Sequence, residues 1–434
     1  MGFMKKYNKY IASILVVTLS ILLLAGCGTN QEAGTGGGTQ GKGTELTFII
    51  WDTNQAQGMQ DMIDAYKEIE PDVTVKLEVV PWDEYWMKLQ ASATGGNMPD
   101  IFWMHPEMVY VYTEGEALMD MSTLIPESDI DLGNYPEFIG AGFNIDGGQY
   151  AIPKDYSTLA LWYNKDLFDA AGVSYPDDTW TWEDWYNAAG ELTNPDEDVY
   201  GSIAQANSQD YYYNLVWSNG GDIVNAEETK SLYGEQNVID ALEFGYSFIE
   251  SGYAPTTADL TNTTAYQRFE SGKVAMILAG SWYAIQFLDV DGLNIDVAPI
   301  PLNKEGGTRG TACGGMGYSI AANTKYPDEA WGFVEYLGSY EANVIQAQSG
   351  AAISAFEGSG EEWTKGFPQI NAQVFVDAAE YGFSTQYVPS RAEWRMIEED
   401  WMSQVFDGTV PVAEGATRAA EEIQLVLDEY NANR

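Results

Sequence analysis

The sequence predicts an α/β chain folded into two lobes, each a mainly parallel sheet flanked by helices. Strands and helices alternate from Leu46 to Met104 and again from Leu159 onward, and such alternation places parallel strands beneath helices on both faces. Length is the third observation: 434 residues exceed one hydrophobic core, which stops growing near about 250–300 residues.

The elements follow in order. Residues 46–51 are a short apolar strand, and Met59, Met62, Ile63, Tyr66 and Ile69 recur at helical spacing until Pro71, whose ring and missing N–H stop a helix. Val73, Val75, Leu77 and Val79 alternate as a strand, a helix around Trp86 and Leu89 ends at Gly95-Gly96, and residues 101–104 are a strand again. The second series opens with a strand over 159–163 and a helix over 165–171 that Gly172 can end in a left-handed turn. Thr181 and Asp184 have the spacing of a capping box for a helix through Trp185 to Leu192. Residues 274–279, 297–300 and 318–321 are predicted strands, and the chain from Asp328 is largely helical, closing with amphipathic helices over 391–406 and 412–430.

The N-terminus precedes this pattern and obeys another. Lys5, Lys6 and Lys9 lead into an uncharged apolar run over 11–24, the layout of an export signal, shorter than the roughly 20 apolar residues of a spanning helix. Leu24-Ala25-Gly26-Cys27 is similar to the lipobox of bacterial lipoproteins, in which the cysteine is lipidated and becomes the first residue. Residues 1–26 are thus expected to be a signal peptide, and 27–43 the lipidated Cys27 with a glycine-rich flexible tether. That puts the body at the extracytoplasmic face of the cell membrane, held by lipid.

Composition excludes several classes. A formal net charge of −45 repels phosphate backbones, so nucleic acid is not expected as a partner. With Cys27 lipidated only Cys313 remains, leaving no intramolecular disulfide. No metal site and no cofactor are expected: His105 is the single histidine, too few for a zinc site, and Asp289, Asp291, Asn294 and Asp296 do not match a calcium loop. The stretch GKVAMILAG lacks the Gly-Lys-Ser/Thr ending of a phosphate loop.

Five strings together carry a family resemblance: MPDIFWM at 98–104, YAIPKDYSTLALWYNKDLFDAAGV at 150–173, TWEDW at 181–185, SGKVAMILAGSW at 271–282 and GGMGYSIAANTKYPDEAWGFVEYL at 314–337. In this order the chain resembles the extracellular solute-binding proteins of family 1, the maltose-binding-like receptors of ABC importers. The resemblance implies a type II periplasmic-binding-protein-like fold with three hinge crossings, near Ile152, Val297 and Gly350. Residues 44–152 with 298–350 would form one lobe, and 153–297 with 351–434 the other. It implies a monomer that captures a mono- or oligosaccharide between the lobes and delivers it to the permease subunits. A surface glycosidase or lyase, and the same fold holding a non-sugar ligand, stay open as alternatives, although the sequence has no Gly-x-Ser-x-Gly elbow.

A sugar offers hydroxyls, which need polar or charged partners, and C–H faces, which sit on aromatic rings. In open α/β sheets ligands bind beyond the carboxyl ends of the strands. This nominates Trp51, Asp52 and Asn54 after the first strand, and Trp103 and His105 at the third. The resemblance adds Asp155 and Tyr156 after the first crossing, Tyr211, Trp217 and Asn219 before Gly220-Gly221, and Trp282, whose counterpart stacks on sugar in relatives. Gly314 and Gly315 would let backbone approach a ligand closely, and Arg391 and Trp394, one helical turn apart, would reach the rim. Maltose receptors carry an acidic and a basic residue where Pro106 and Glu107 stand here, which argues against maltose itself.

Overall fold

The first strand, Thr44–Ile50, lies inside a six-stranded sheet, parallel to both Val73–Val79 and Ile101–Met104. The computed structural model describes residues 43–384 and 390–433; the expected signal peptide, Cys27 and the expected tether before residue 43 lie outside these residues. Among the described residues no helix is long and apolar enough to cross a membrane. The sheet continues through Gly314–Ile320, Ile152–Ser157 and Ile353–Ser354, each antiparallel to its neighbour. A second sheet orders Ile295–Ala298, Leu159–Asn164, Val274–Gly280 and Tyr200–Ser202, and only its last pair is parallel.

Both sheets are therefore mixed rather than mainly parallel. The physical reason is the crossing strands. Ile152–Ser157 leaves the first sheet toward the second, and Gly314–Ile320 returns through the same end, so the two run in opposite directions. Within these two sheets parallel pairing is confined to the strands within 44–104 and to Tyr200–Ser202 with Val274–Gly280, pairs whose connections run through helices.

The first crossing falls at Thr158, beyond the expected Ile152, because Ile152–Ser157 stays paired in the first sheet throughout. Thr158 is fully buried, and its hydroxyl donates to the Phe375 carbonyl at 2.6 Å. The second crossing lies between Ala298 and Gly314, where Thr311–Ala312 pairs with Gly382–Phe383. The third follows Ser354 rather than Gly350, since Ile353–Ser354 still pairs with Ile152–Ser157.

Local chemistry explains the remaining elements. Thr181 and Asp184 form the reciprocal capping box that starts Trp182–Leu192, and Gly172 ends Lys165–Ala171 at φ 71°. Val274–Gly280 is buried along its whole length; each large aliphatic side chain so buried contributes about 1.5–3 kcal/mol. Helix Arg391–Phe406 packs Trp394, Met402, Val405 and Phe406 into the core over the second sheet. The strand expected over 297–300 is Ile295–Ala298, and that over 318–321 begins earlier, at Gly314.

Candidate functional site

Leu159 pairs with Gly280, so the strand Val274–Gly280 delivers its carboxyl end to the crossing at Thr158, where the Ser281 amide donates to the Thr158 carbonyl at 3.0 Å. The first sheet brings the loops after Ile50 and Met104 to the same place. Between them lies a cavity of about 420 Å³, within the size range of small-molecule sites.

The first-sheet wall begins at Trp51. Its ring meets Trp82 edge-on at 5.1 Å and packs on Tyr85 and Trp103 behind. Asp52 caps the short turn Thr53–Gln55: one carboxylate oxygen accepts from the Asn54 amide at 2.9 Å, the other from Gln55 Nε2 at 3.1 Å. Asn54 stands beside it on the wall. His105 caps the helix Pro106–Glu114, its Nδ1 accepting from the Glu107 amide at 3.2 Å. Burial, the largest influence, holds its pKa below the usual histidine value, which suits a nitrogen acting as acceptor.

Asp155, Tyr156 and Ser157 form the floor. Asp155 is already committed: one oxygen accepts from the Met316 amide at 3.0 Å and the other is bonded to the Lys154 ammonium. Lys154 is fully buried, donates to Gln55 Oε1 at 2.6 Å and sits 4.3 Å over the Trp103 ring. Burial pulls its pKa down and Asp155 opposes that. The opposite wall is Ser281, Trp282 and Tyr283. A Cβ at Gly280 would lie 2.0 Å from the Trp282 ring, so only glycine lets that ring fold back over its own strand.

Of the residues nominated from sequence, Trp51, Asp52, Asn54, His105, Asp155, Tyr156 and Trp282 converge on this cavity. The others are placed elsewhere. Trp103 is fully buried in the sheet under Lys154. Tyr211 donates to the Gly245 carbonyl at 3.0 Å, inside the core. Trp217 stacks on Phe383 at 5.5 Å with its indole N–H on Asp222, and Asn219 donates to the Asn237 carbonyl. Gly314 and Gly315 lie in a strand, where a Cβ on Gly315 would meet the Asp155 carbonyl at 2.3 Å; glycine there admits the neighbouring strand rather than a ligand. Trp394 is buried beneath the Arg391 guanidinium, 4.9 Å from its ring.

Arg391 instead joins the two sheets' helices. Its Nη2 and Nε reach Glu107 Oε1 at 2.9 and 3.2 Å, and Arg395 Nη1 reaches Oε2 at 3.0 Å. Burial opposes ionisation of Glu107, but the neighbouring imidazole and the two guanidinium groups outweigh it and hold its carboxyl at about 2. Trp82, Gln209, Tyr283 and Gln286 also line the cavity and were not nominated. Trp82 follows the strand Val73–Val79 by three residues, so the rule that pointed to Trp51 could have found it; Gln209 carries no local signal.

The chain as a whole is similar to known proteins. The sequence profile described as bacterial extracellular solute-binding protein matches residues 51–344. An arabinooligosaccharide-binding protein of Bacillus subtilis is 25% identical over 362 residues, 78% of each chain, and a maltodextrin-binding protein of the same organism is 24% identical over 96% of each. An ABC substrate-binding protein of Listeria monocytogenes, solved with cycloalternan, superposes with a TM-score of 0.82 at 24% identity, covering 89% of this chain and 99% of that one. The GacH receptor of Streptomyces glaucescens gives 0.76 at 21% identity, covering 89% and 98%. These likenesses are to two-lobed type II binding proteins, the fold expected from the paired sheets and the chain crossings between them. With a profile match over residues 51–344, more than half of its length, the chain belongs to the bacterial extracellular solute-binding protein family.

Proposed function

We propose that this protein is the substrate-binding component of an ABC importer, capturing a mono- or oligosaccharide in the cavity between its sheets and passing it to membrane permease subunits. The observation that carries this reading is the convergence, at the strand ends of both sheets, of the rings of Trp51, Trp82, Trp282 and Tyr283 with Asp52 and Asp155. Aromatic faces accept the C–H faces of a pyranose, and carboxylates accept its hydroxyls through charge-assisted hydrogen bonds, about twice as strong as neutral ones. The relatives' named cargoes, arabinooligosaccharide and maltodextrin, favour the same class.

The residues placed on the cavity wall are the ones assigned to ligand contact. The two lobes are the bodies around each sheet, hinged at Thr158, between Ala298 and Gly314, and beyond Ser354; the chain acts as a monomer. It binds rather than transforms its ligand and needs no cofactor. Lipidation of Cys27 would retain it at the extracytoplasmic face, and Cys27→Ser should release it from the membrane fraction into the medium.

The test is a thermal-shift screen of the wild-type protein over neutral mono- and oligosaccharides. A ligand that binds only the folded state raises Tm, by about 2.7 kcal/mol of added stability at a hundredfold excess over Kd. No shift with any sugar, or release of product from one, would refute the reading.

A further inference from the structure

Asp210 is a buried carboxylate that does not line the cavity, yet its neighbour Gln209 does. Both belong to the π-helical turn Ser208–Tyr212, a wide geometry that short segments adopt rarely and often at functional positions. Asn207 starts the turn, its side-chain oxygen accepting from the Asp210 amide at 2.9 Å and its Nδ2 lying 3.4 Å from Asp210 Oδ2.

That same Oδ2 accepts the Tyr266 hydroxyl. The Tyr266 ring lies nearly flat on Tyr283, centroids 4.2 Å apart at 22°, and Tyr283 in turn stacks on Phe287 at 5.1 Å and 15°. Trp282 packs beside Tyr283 at 5.9 Å. A chain of contacts therefore runs from a buried carboxylate, through one hydroxyl and one stacked ring, to the two aromatic rings of the second-sheet wall.

We propose that Asp210 and Tyr266 are positioning residues of the cavity, fixing the Tyr283 ring and the Trp282 ring beside it in the orientation that a ligand meets. The inference rests on reading this cavity as the ligand site. Its physical basis is preorganisation: a ring fixed before binding does not have to be ordered during it, worth about twofold to tenfold in affinity per side chain. Burial, countered by the Tyr266 hydroxyl, raises the Asp210 carboxyl to about 6. The anchor thus changes charge just below neutral pH. The groups around it are Tyr266 from helix Ala265–Glu270, Tyr283 from the turn Ser281–Tyr283, and Asn207 from its own turn, with Glu270 acting on Tyr283.

The test titrates maltotriose, arabinotriose and diacetylchitobiose calorimetrically into the full chain, wild type, Tyr266→Phe and Asp210→Asn. Tyr266→Phe keeps the stacked ring and removes only the hydroxyl. The sugar bound by wild type should bind each variant about three- to tenfold more weakly, with Tm lowered by no more than about 4 °C, the shift that one lost hydrogen bond gives. Wild-type affinity should also fall between about pH 7 and about pH 5 as Asp210 takes up its proton, and Asp210→Asn should lack that step; a step that survives in Asp210→Asn would overturn the assignment of the pH dependence to Asp210. Wild-type affinity and wild-type pH dependence in both variants would overturn the positioning role and leave the cavity reading standing. Failure of wild type to bind these three or any other neutral mono- or oligosaccharide of the thermal-shift screen, or equal binding by Trp282→Ala, would overturn both.

Discussion

Asp155 ends in two internal contacts, the Lys154 ammonium and the Met316 amide, before any ligand arrives. Its removal therefore leaves a fully buried cation without its partner, which costs about 3–5 kcal/mol. Asp155→Ala should unfold at a clearly lower denaturant concentration, and a wild-type midpoint would contradict the contacts described. Trp282 is only partly buried, so Trp282→Ala should leave the unfolding midpoint nearly unchanged while weakening sugar binding about tenfold or more, the scale of an aromatic anchor; calorimetry reads both halves of that statement. Trp282 was nominated by the family resemblance, and the strand ending at Gly280 puts it on the cavity wall. The sequence could not separate Trp103, Tyr211 and Trp217 from cavity residues, because the partners that commit them to the core, Lys154, Gly245 and Phe383, are set by tertiary packing and all lie far away in the chain.

Helix Pro106–Glu114 belongs to the first sheet and helix Arg391–Phe406 to the second, and Glu107 with Arg391 and Arg395 ties them. Glu107 is ionised in the folded protein down to about 2, below its ordinary value of 4.5. The sign follows from linkage: a depressed carboxylate pKa gives stability that is complete above 4.5 and is lost as pH falls toward 2. Glu107→Gln should be less stable than wild type at neutral pH, and the difference should shrink on acidification through that window; a constant difference would refute the ion pair's role. Helix boundaries were legible because caps are local, as Thr181 with Asp184 and Gly172 show. Strand direction beyond residue 104 was not, since it depends on where the chain leaves one sheet and re-enters it.

At the scale of the molecule, 65 acidic residues face 20 Lys and Arg, so the folded body repels itself. Screening shortens the reach of that repulsion from about 30 Å at 0.01 M salt to about 3 Å at 1 M, and Tm should therefore rise with sodium chloride over that range; a flat or falling Tm would show that paired charges dominate instead. The same charge keeps anionic polymers away from the surface. Two sheets built from interleaved segments, with loops from both meeting at one cavity, form the architecture on which capture depends. The most direct measurement is calorimetric titration of one sugar identified by thermal shift into wild type and Trp282→Ala. The account predicts saturable one-to-one binding by wild type and a loss of about tenfold or more in the variant; equal affinity in the two proteins, or no sugar that binds at all, would contradict it.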